Sequence, residues 1–263
     1  MREALESILR GMSGPAIAVS GGVDSVTLAA LAHHVGNDAV LMHAVSPAVP
    51  QEATGRLRHL ARERGWPLMV FEAGEFADAD YRANPVNRCF HCKTNLYGAI
   101  RLRTDRPILS GANLDDLGEY RPGLDAARVH GVRHPYIEAR INKNTVRQIA
   151  GDLALYDVAD LPSSPCLSSR VETGIRIEPQ MLVFIHGVER LVTNEIHPST
   201  VRCRVRAAAV VIELDAATLD RLTAEESVRL ATLIMSQPHR PSALPIRFER
   251  YRNGSAFLRE GVE

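Results

Sequence analysis

The sequence predicts an α/β protein, with a doubly wound, mostly parallel sheet and a smaller C-terminal α/β domain. Short apolar runs at 16–19, 39–45, 67–72 and 107–110 alternate with segments of helical character, as in sheets covered on both faces. The first run passes through two glycines directly into an apolar helix. After about residue 175 the pattern changes to one long amphipathic segment followed by short strands. The reading therefore divides the chain into domains 1–175 and 176–263.

Each element has its own warrant. Residues 1–10 read as an amphipathic helix, and Glu3 and Glu6 within it are unlike a signal peptide. Ala16–Val19 joins small and branched apolar residues, the mark of a parallel strand buried on both faces. The helix after it is apolar at helical spacing through His34. A strand at 39–45, a charged helix at 51–65 and a strand at 67–72 follow. Residues 73–88 are polar and interrupted by Pro85, which predicts a long loop before a helix at 93–103. Next come a strand at 107–110 and a helix at 142–155, capped by Asn142 or Asn144. Pro162 and Pro165 exclude a regular helix from the loop 161–170. Beyond it lie a helix at 178–196 and a strand at 201–206, half-exposed by its period-two alternation. A strand at 210–214, a helix at 216–236, a short strand and a tail complete the chain.

Composition narrows the function. The 31 basic and 31 acidic residues balance, which argues against nucleic acid as the main partner. No apolar run reaches the ~20 residues that span a bilayer, so no membrane role and a cytoplasmic location are expected. In that compartment the four cysteines are expected to be reduced, and metal or catalytic roles outrank disulfides.

Ser20-Gly21-Gly22-Val23-Asp24-Ser25 is the first candidate site. A strand, a small-residue turn and a helix N-terminus together hold phosphate, with backbone N–H groups and the positive dipole end aimed at it. The string lacks the lysine of a Walker loop and the third glycine of a dinucleotide fingerprint. Gly111 and Ala112 permit close approach at another strand end. Asn113 suits a base or ribose, and Asp115 or Asp116 suits Mg²⁺, although Asn and Asp also cap helices. Arg121 is a candidate anion contact. Cys89-Phe90-His91-Cys92 suits zinc, an iron–sulfur cluster or redox exchange. Cys166 lies on a separate loop, and His91 could complete a zinc site instead. Cys203 falls in a strand pattern and reads as a small apolar residue.

The string S-G-G-V-D-S resembles the pyrophosphate loop of the PP-loop ATP pyrophosphatases, which cleave ATP to AMP and pyrophosphate. Three motifs follow in order: N-P-V-N-R-C-F-H-C-K at 84–93, G-A-N-L-D-D-L-G-E-Y-R-P-G at 111–123, and S-P-C-L-S-S-R at 164–170. Together they are similar to the LarE-type ATP-dependent sulfur transferases, in a three-cysteine variant, over roughly residues 1–215. A weaker echo lies at 251–255, and 247–263 departs from the family pattern.

The resemblance implies a PP-loop, adenine nucleotide alpha hydrolase-like fold and a role in nickel-pincer nucleotide cofactor biosynthesis. The substrate is then a pyridinium dicarboxylate mononucleotide, one carboxylate of which is adenylylated and converted to a thiocarboxylate. ATP with Mg²⁺ binds Ser20, Gly21, Gly22, Asp24, Ser25, Gly111, Asn113 and Asp116. Cys89, Cys92 and Cys166 hold a [4Fe–4S] cluster, with Zn²⁺ the alternative. Where only the cysteine matching Cys166 is present, it gives up its own sulfur and becomes dehydroalanine. Lys93 and Arg170 supply local positive charge to Cys166 chemistry, and Asp24 serves adenylylation. Arg202 and Arg204 meet the substrate phosphate, with Arg121, Glu189 and Glu213 alongside. A homo-oligomer and a sulfur-donor protein partner are further expectations. The rivals are tRNA thiolation, an amide-forming ligase such as NAD synthase, and a noncatalytic nucleotide-binding module with structural zinc.

Overall fold

In the computed structural model, which describes residues 1–118, 120–162, 165–241 and 244–257, α1 (Arg2–Arg10) buries Leu5 and Leu9 completely. Ser163 and Ser164 of the expected second loop, and 258–263 of the last segment, lie outside the described residues. β1 (Ala16–Ala18) leads through the glycine turn into α2 (Val23–His34). β2 (Val40–Ala44), α3 (Gln51–Arg64) and β3 (Leu68–Phe71) follow. Then come α4 (Ala79–Arg82), α5 (Arg88–Arg101) and β4 (Ile108–Ser110). α6 (Pro122–Val129), α7 (Pro135–Glu138), α8 (Lys143–Asp152) and α9 (Tyr156–Ala159) are helical. The remainder is α10 (Pro179–Ile196), β5 (Val201–Val205), β6 (Val210–Leu214), α11 (Ala216–Arg221), α12 (Ala224–Met235) and β7 (Ile246–Arg250).

Two compact units result: Met1–Asp78 with Asn87–Ser164, and Ala79–Val86 with Pro165–Glu263. Asn84 explains why 79–86 folds with the later residues. Its side-chain amide donates to the carbonyls of Glu172 (2.8 Å) and Ile175 (3.0 Å), and its own carbonyl accepts from Gly174 N–H. Asn84 holds φ at +56°, a left-handed conformation that asparagine tolerates better than most residues.

In the first unit four parallel strands lie in the order β3-β2-β1-β4. The register pairs Ile17 with Leu41 and Leu109, and Ala16 with Ile108. Strand side chains alternate between faces. Ile17, Leu41 and Leu109 accordingly join the core with α1, α2, α3 and α7–α9. Ala16, Met42 and Ile108 join a second core with α5 and α6. Helices therefore cover both faces, and the sheet is doubly wound as expected. The smaller sheet has the order β5-β6-β7, with β5 antiparallel and β7 parallel to β6.

Several expectations are corrected. The expected loop 73–88 contains a 3-10 turn at Glu75–Ala77 and α4. α5 starts at Arg88 instead of 93, so the C-x-x-C sits on a helix. α6 went unforeseen, although Pro122 at its start is preorganised for a first turn. β5 is mostly buried, because Arg204 points into a paired interior. The expected helix 216–236 is two helices, divided where Thr223 and Glu226 form a reciprocal capping box.

Candidate active site

The glycine turn lies beyond the carboxyl end of β1, the edge where open α/β sheets bind ligands. Gly21 has φ +84°, and a Cβ there would stand 2.9 Å from the Ala53 carbonyl oxygen. Glycine is needed both for the conformation and for the space. A Cβ on Gly111, after β4, would lie 2.9 Å from Ser25 N and 3.0 Å from the Asp24 carbonyl carbon. Gly111 thus lets β4 approach the first turn of α2.

The hydroxyls of Ser20 and Ser25 are turned onto the loop itself. Ser25 Oγ accepts from Ser20 N–H (3.1 Å) and donates to the Gly22 carbonyl (3.2 Å). Ser20 Oγ accepts from Gly22 N–H at 3.4 Å. Among the described residues no side chain caps α2. Its first-turn N–H groups, which lack helical partners, face the position an anion would take.

Asp24 is the electrostatic centre. Its carboxylate pairs with Lys143 at the start of α8 and accepts from Asn113 Nδ2 at 3.2 Å. Tyr136, fully buried, donates its hydroxyl to the Asp24 carbonyl at 2.9 Å. Burial, and secondarily the Asp24 charge, raise the Tyr136 pKa well above its usual value, so it remains a donor. The Asn113-Asp115-Asp116 turn is internally braced. Asp116 Oδ2 accepts from Asn113 N–H (2.9 Å), Asn113 Oδ1 from Asp115 N–H (3.0 Å), and Asp115 Oδ2 from Lys143 N–H (3.0 Å). Arg121 pairs with Asp116 Oδ1 at 2.9 Å. Asp24 and Asp116 carry hard carboxylate oxygens of the kind Mg²⁺ takes beside phosphates, and each is already paired with a cation, Lys143 or Arg121. Lys143 is the residue that sequence reasoning missed. The only signal was its place between two candidate caps, Asn142 and Asn144, of which Asn142 accepts from Thr145 N–H.

Cys89 and Cys92 are half-buried on the first turn of α5. Spacing i,i+3 places them on one helical face, which suits a shared metal or cluster. At 100° per residue His91 falls on another face, which weakens a zinc site built from all three. Gly123 closes against this turn: a Cβ there would meet Lys93 Cγ at 3.1 Å and the Cys89 carbonyl at 3.7 Å. Lys93 Nζ stands 5.9 Å from the centre of the Tyr97 ring. Ser110, at the end of β4, is 2.8 Å from His134 Nδ1, and burial lowers the His134 pKa.

In the second unit Cys166 is half-buried and precedes a 3-10 turn, Leu167–Arg170. Arg170 is 2% exposed and fully engaged. Its Nε and Nη2 grip Glu189 (3.0 and 3.3 Å), and Nη1 donates to the carbonyls of Pro165 (2.6 Å) and Cys166 (3.2 Å). Arg170 therefore holds the backbone around Cys166 and is not a mobile cation. Glu189 also accepts from Cys203 N–H at 3.0 Å. Arg204 and Glu213 form a buried pair at 2.9 Å, to which Arg206 and Ser255 add contacts. Arg204 Nη1 also donates to the Ser169 carbonyl at 3.0 Å. Arg202 is less enclosed and lies 5.8 Å from the Tyr251 ring. Burial first, then repulsion from Arg170, lowers its pKa. Cys203 is fully buried, and burial raises its thiol pKa, so it is an inert core residue.

No protein-family model matches the chain. An uncharacterized protein of Synechocystis sp. is 36% identical over 203 residues, 75% of each chain. An uncharacterized protein of Methanocaldococcus jannaschii is 25% identical over 203 residues, 76% of this chain and 77% of its own. Pyridinium-3,5-bisthiocarboxylic acid mononucleotide synthase of Lactiplantibacillus plantarum is 26% identical over 224 residues, 83% of this chain and 80% of its own. With the glycine turn, the Cys89–Cys92 pair, the Asn113–Asp116 turn and Cys166 in this order, the chain belongs to the LarE-type family.

Proposed function

We propose that this protein is an ATP-dependent sulfur transferase of nickel-pincer nucleotide biosynthesis. It adenylylates a carboxylate of a pyridinium dicarboxylate mononucleotide and replaces the activated oxygen with sulfur. The observation that carries this reading is the uncapped first turn of α2 behind Gly21 and Gly22, with Asp24, Lys143 and Asn113 gathered at it. The relative from Lactiplantibacillus plantarum, named for a bisthiocarboxylic acid mononucleotide, supplies the substrate class.

The chemistry follows from the leaving group. A carboxylate resists substitution because its oxygen departs poorly. Its attack on the α-phosphorus of ATP forms an acyl-adenylate and breaks the bond to pyrophosphate. The α2 N–H groups and Lys143 stabilise the charge gathering on the departing pyrophosphate. Mg²⁺, held by Asp24 and Asp116, would neutralise phosphate charge as a Lewis acid. A sulfur nucleophile then attacks the acyl carbon, a C–S bond forms, and AMP leaves with the oxygen.

Cys89, Cys92 and Cys166 offer the thiolate donors a [4Fe–4S] cluster takes, and such a cluster would supply sulfur that can be reloaded. In a chain lacking that cluster, Cys166 Sγ itself would attack; loss of its Cα proton with Cβ–S cleavage would leave dehydroalanine. Arg202, which lies beside Tyr251, would meet the substrate phosphate, while Arg204 is held by Glu213 and Arg170 by Glu189. A homo-oligomer, a cytoplasmic location and a sulfur-donor protein belong to the same reading.

The test is pyrophosphate and AMP release by protein purified without oxygen, given Mg-ATP and the mononucleotide substrate, with iron, zinc and acid-labile sulfide measured on the same sample. Stoichiometric AMP and thiocarboxylate, with iron and sulfide in cluster proportion, is the expected result. Zinc without sulfide, together with ATP binding but no pyrophosphate release, would instead identify a binding module.

A further inference from the structure

His43 lies on β2, is 1% exposed, and takes no part in the chemistry above. Its ring spans two elements. Nδ1 is 2.9 Å from the Val19 carbonyl, the residue immediately before the glycine turn. Nε2 is 2.9 Å from Thr54 Oγ1 in the first turn of α3. A carbonyl can only accept, so Nδ1 carries the hydrogen. Burial, more strongly than the Val19 hydrogen bond opposes it, lowers the His43 pKa, and the Arg58 charge adds to the lowering. The ring is therefore neutral, and Nε2 accepts from the Thr54 hydroxyl. This fixes one tautomer and one orientation.

The N-terminal half of α3 meets the glycine turn twice more. The Ala53 carbonyl fills the space where a Gly21 side chain would stand, and Arg56 donates to the Gly21 carbonyl at 2.9 Å. The N-terminal half of α3 is thus the wall against which Ser20–Gly22 is set.

We propose that His43 and Thr54 are positioning residues for nucleotide binding, forming a buried strut that sets the glycine turn at the distance from α3 that triphosphate requires. The inference rests on the reading of that turn as an ATP site. It assigns His43 no contact with ATP and no proton transfer. The strut acts on affinity, because it preorganises the N–H groups that meet the phosphates.

The experiment measures the Kd of Mg-ATP and the rate of pyrophosphate release at saturating ATP for the full chain, Thr54→Val and Thr54→Ser. Valine keeps the shape of threonine without its hydroxyl; serine keeps the hydroxyl. Loss of one hydrogen bond predicts a Kd raised about tenfold in Thr54→Val, while Thr54→Ser stays within about twofold of the parent. The saturated rate should be unchanged in both. Nitrogen NMR of the parent should show His43 protonated at Nδ1 alone. Equal Kd values for Thr54→Val and Thr54→Ser, or an Nε2-protonated ring, would overturn the strut while leaving the nucleotide reading intact. A parent that binds no Mg-ATP would overturn both.

Discussion

Asp24 and Lys143 form a pair whose members are separately useful: one oxygen donor for a cation, one cation for phosphate. Asp24→Asn keeps the shape and removes the charge, so pyrophosphate release should fall about 100-fold. Metal and sulfide content should stay at the parental level, since Cys89, Cys92 and Cys166 are untouched; loss of both would mean the substitution disturbed folding. Gly111→Ala tests the close approach of β4. Its new methyl would stand 2.9 Å from Ser25 N, against backbone that has little freedom to yield. A raised KM for ATP and a loss of about 1–3 kcal/mol in stability are expected, read from kinetics and denaturant unfolding. In the second unit, Glu213 is wholly buried between Arg204 and Arg206. Glu213→Ala leaves the buried Arg204 guanidinium without its carboxylate, while Arg206 keeps Glu249, and a loss of about 3–5 kcal/mol in the same unfolding assay is expected. Unaltered stability would show that water reaches Arg204.

Among the elements, the capping box at Thr223 is the simplest local determinant. Thr223→Ala should cost about 0.5–2 kcal/mol and raise amide exchange first in the opening turn of α12. That box was legible as T-x-x-E, yet helical character on either side hid the break at Leu222. The four parallel strands were legible because strands buried on both faces are continuous apolar runs. α5 began five residues earlier than read because Cys89, Phe90, His91 and Cys92 are weak helix formers; packing against Gly123 supplies what propensity does not. Period-two alternation was a sound guide to β5 as a strand and a poor guide to its exposure. An arginine reads as solvated until its partner is known, and Glu213 lies on the neighbouring strand. Lys143 was illegible for a similar reason, since its partner Asp24 is far away in sequence and only the fold brings them together.

For the whole molecule, three histidines contribute to the response to mild acid. Burial lowers the pKa of His33, His43 and His134. Unfolded, each returns to about 6.5 and binds its proton more readily. Their contribution to stability is therefore complete above about pH 6.5 and is lost as pH falls through the lower folded values. Asp215 adds a second step. Burial raises its pKa, but hydrogen bonds from Thr218 and Thr200 outweigh this and bring it to about 2. Its contribution is present above about pH 3.9 and fades as pH falls toward 2. Melting temperatures across pH 8 to 5 should decline, and His43→Asn should flatten part of that slope.

The return of residues 79–86 to the second unit carries a consequence for synthesis. A ribosome delivers Tyr81 and Asn84 long before Ser168 and Glu172, which are their partners. The short segment must then wait, unsatisfied, while the whole of Asn87–Ser164 is made. Folding of the second unit is therefore closed by a long-range step, slower than local helix formation. Nascent chains arrested before residue 165 should remain open to protease at 79–86, and completed chains should be protected there.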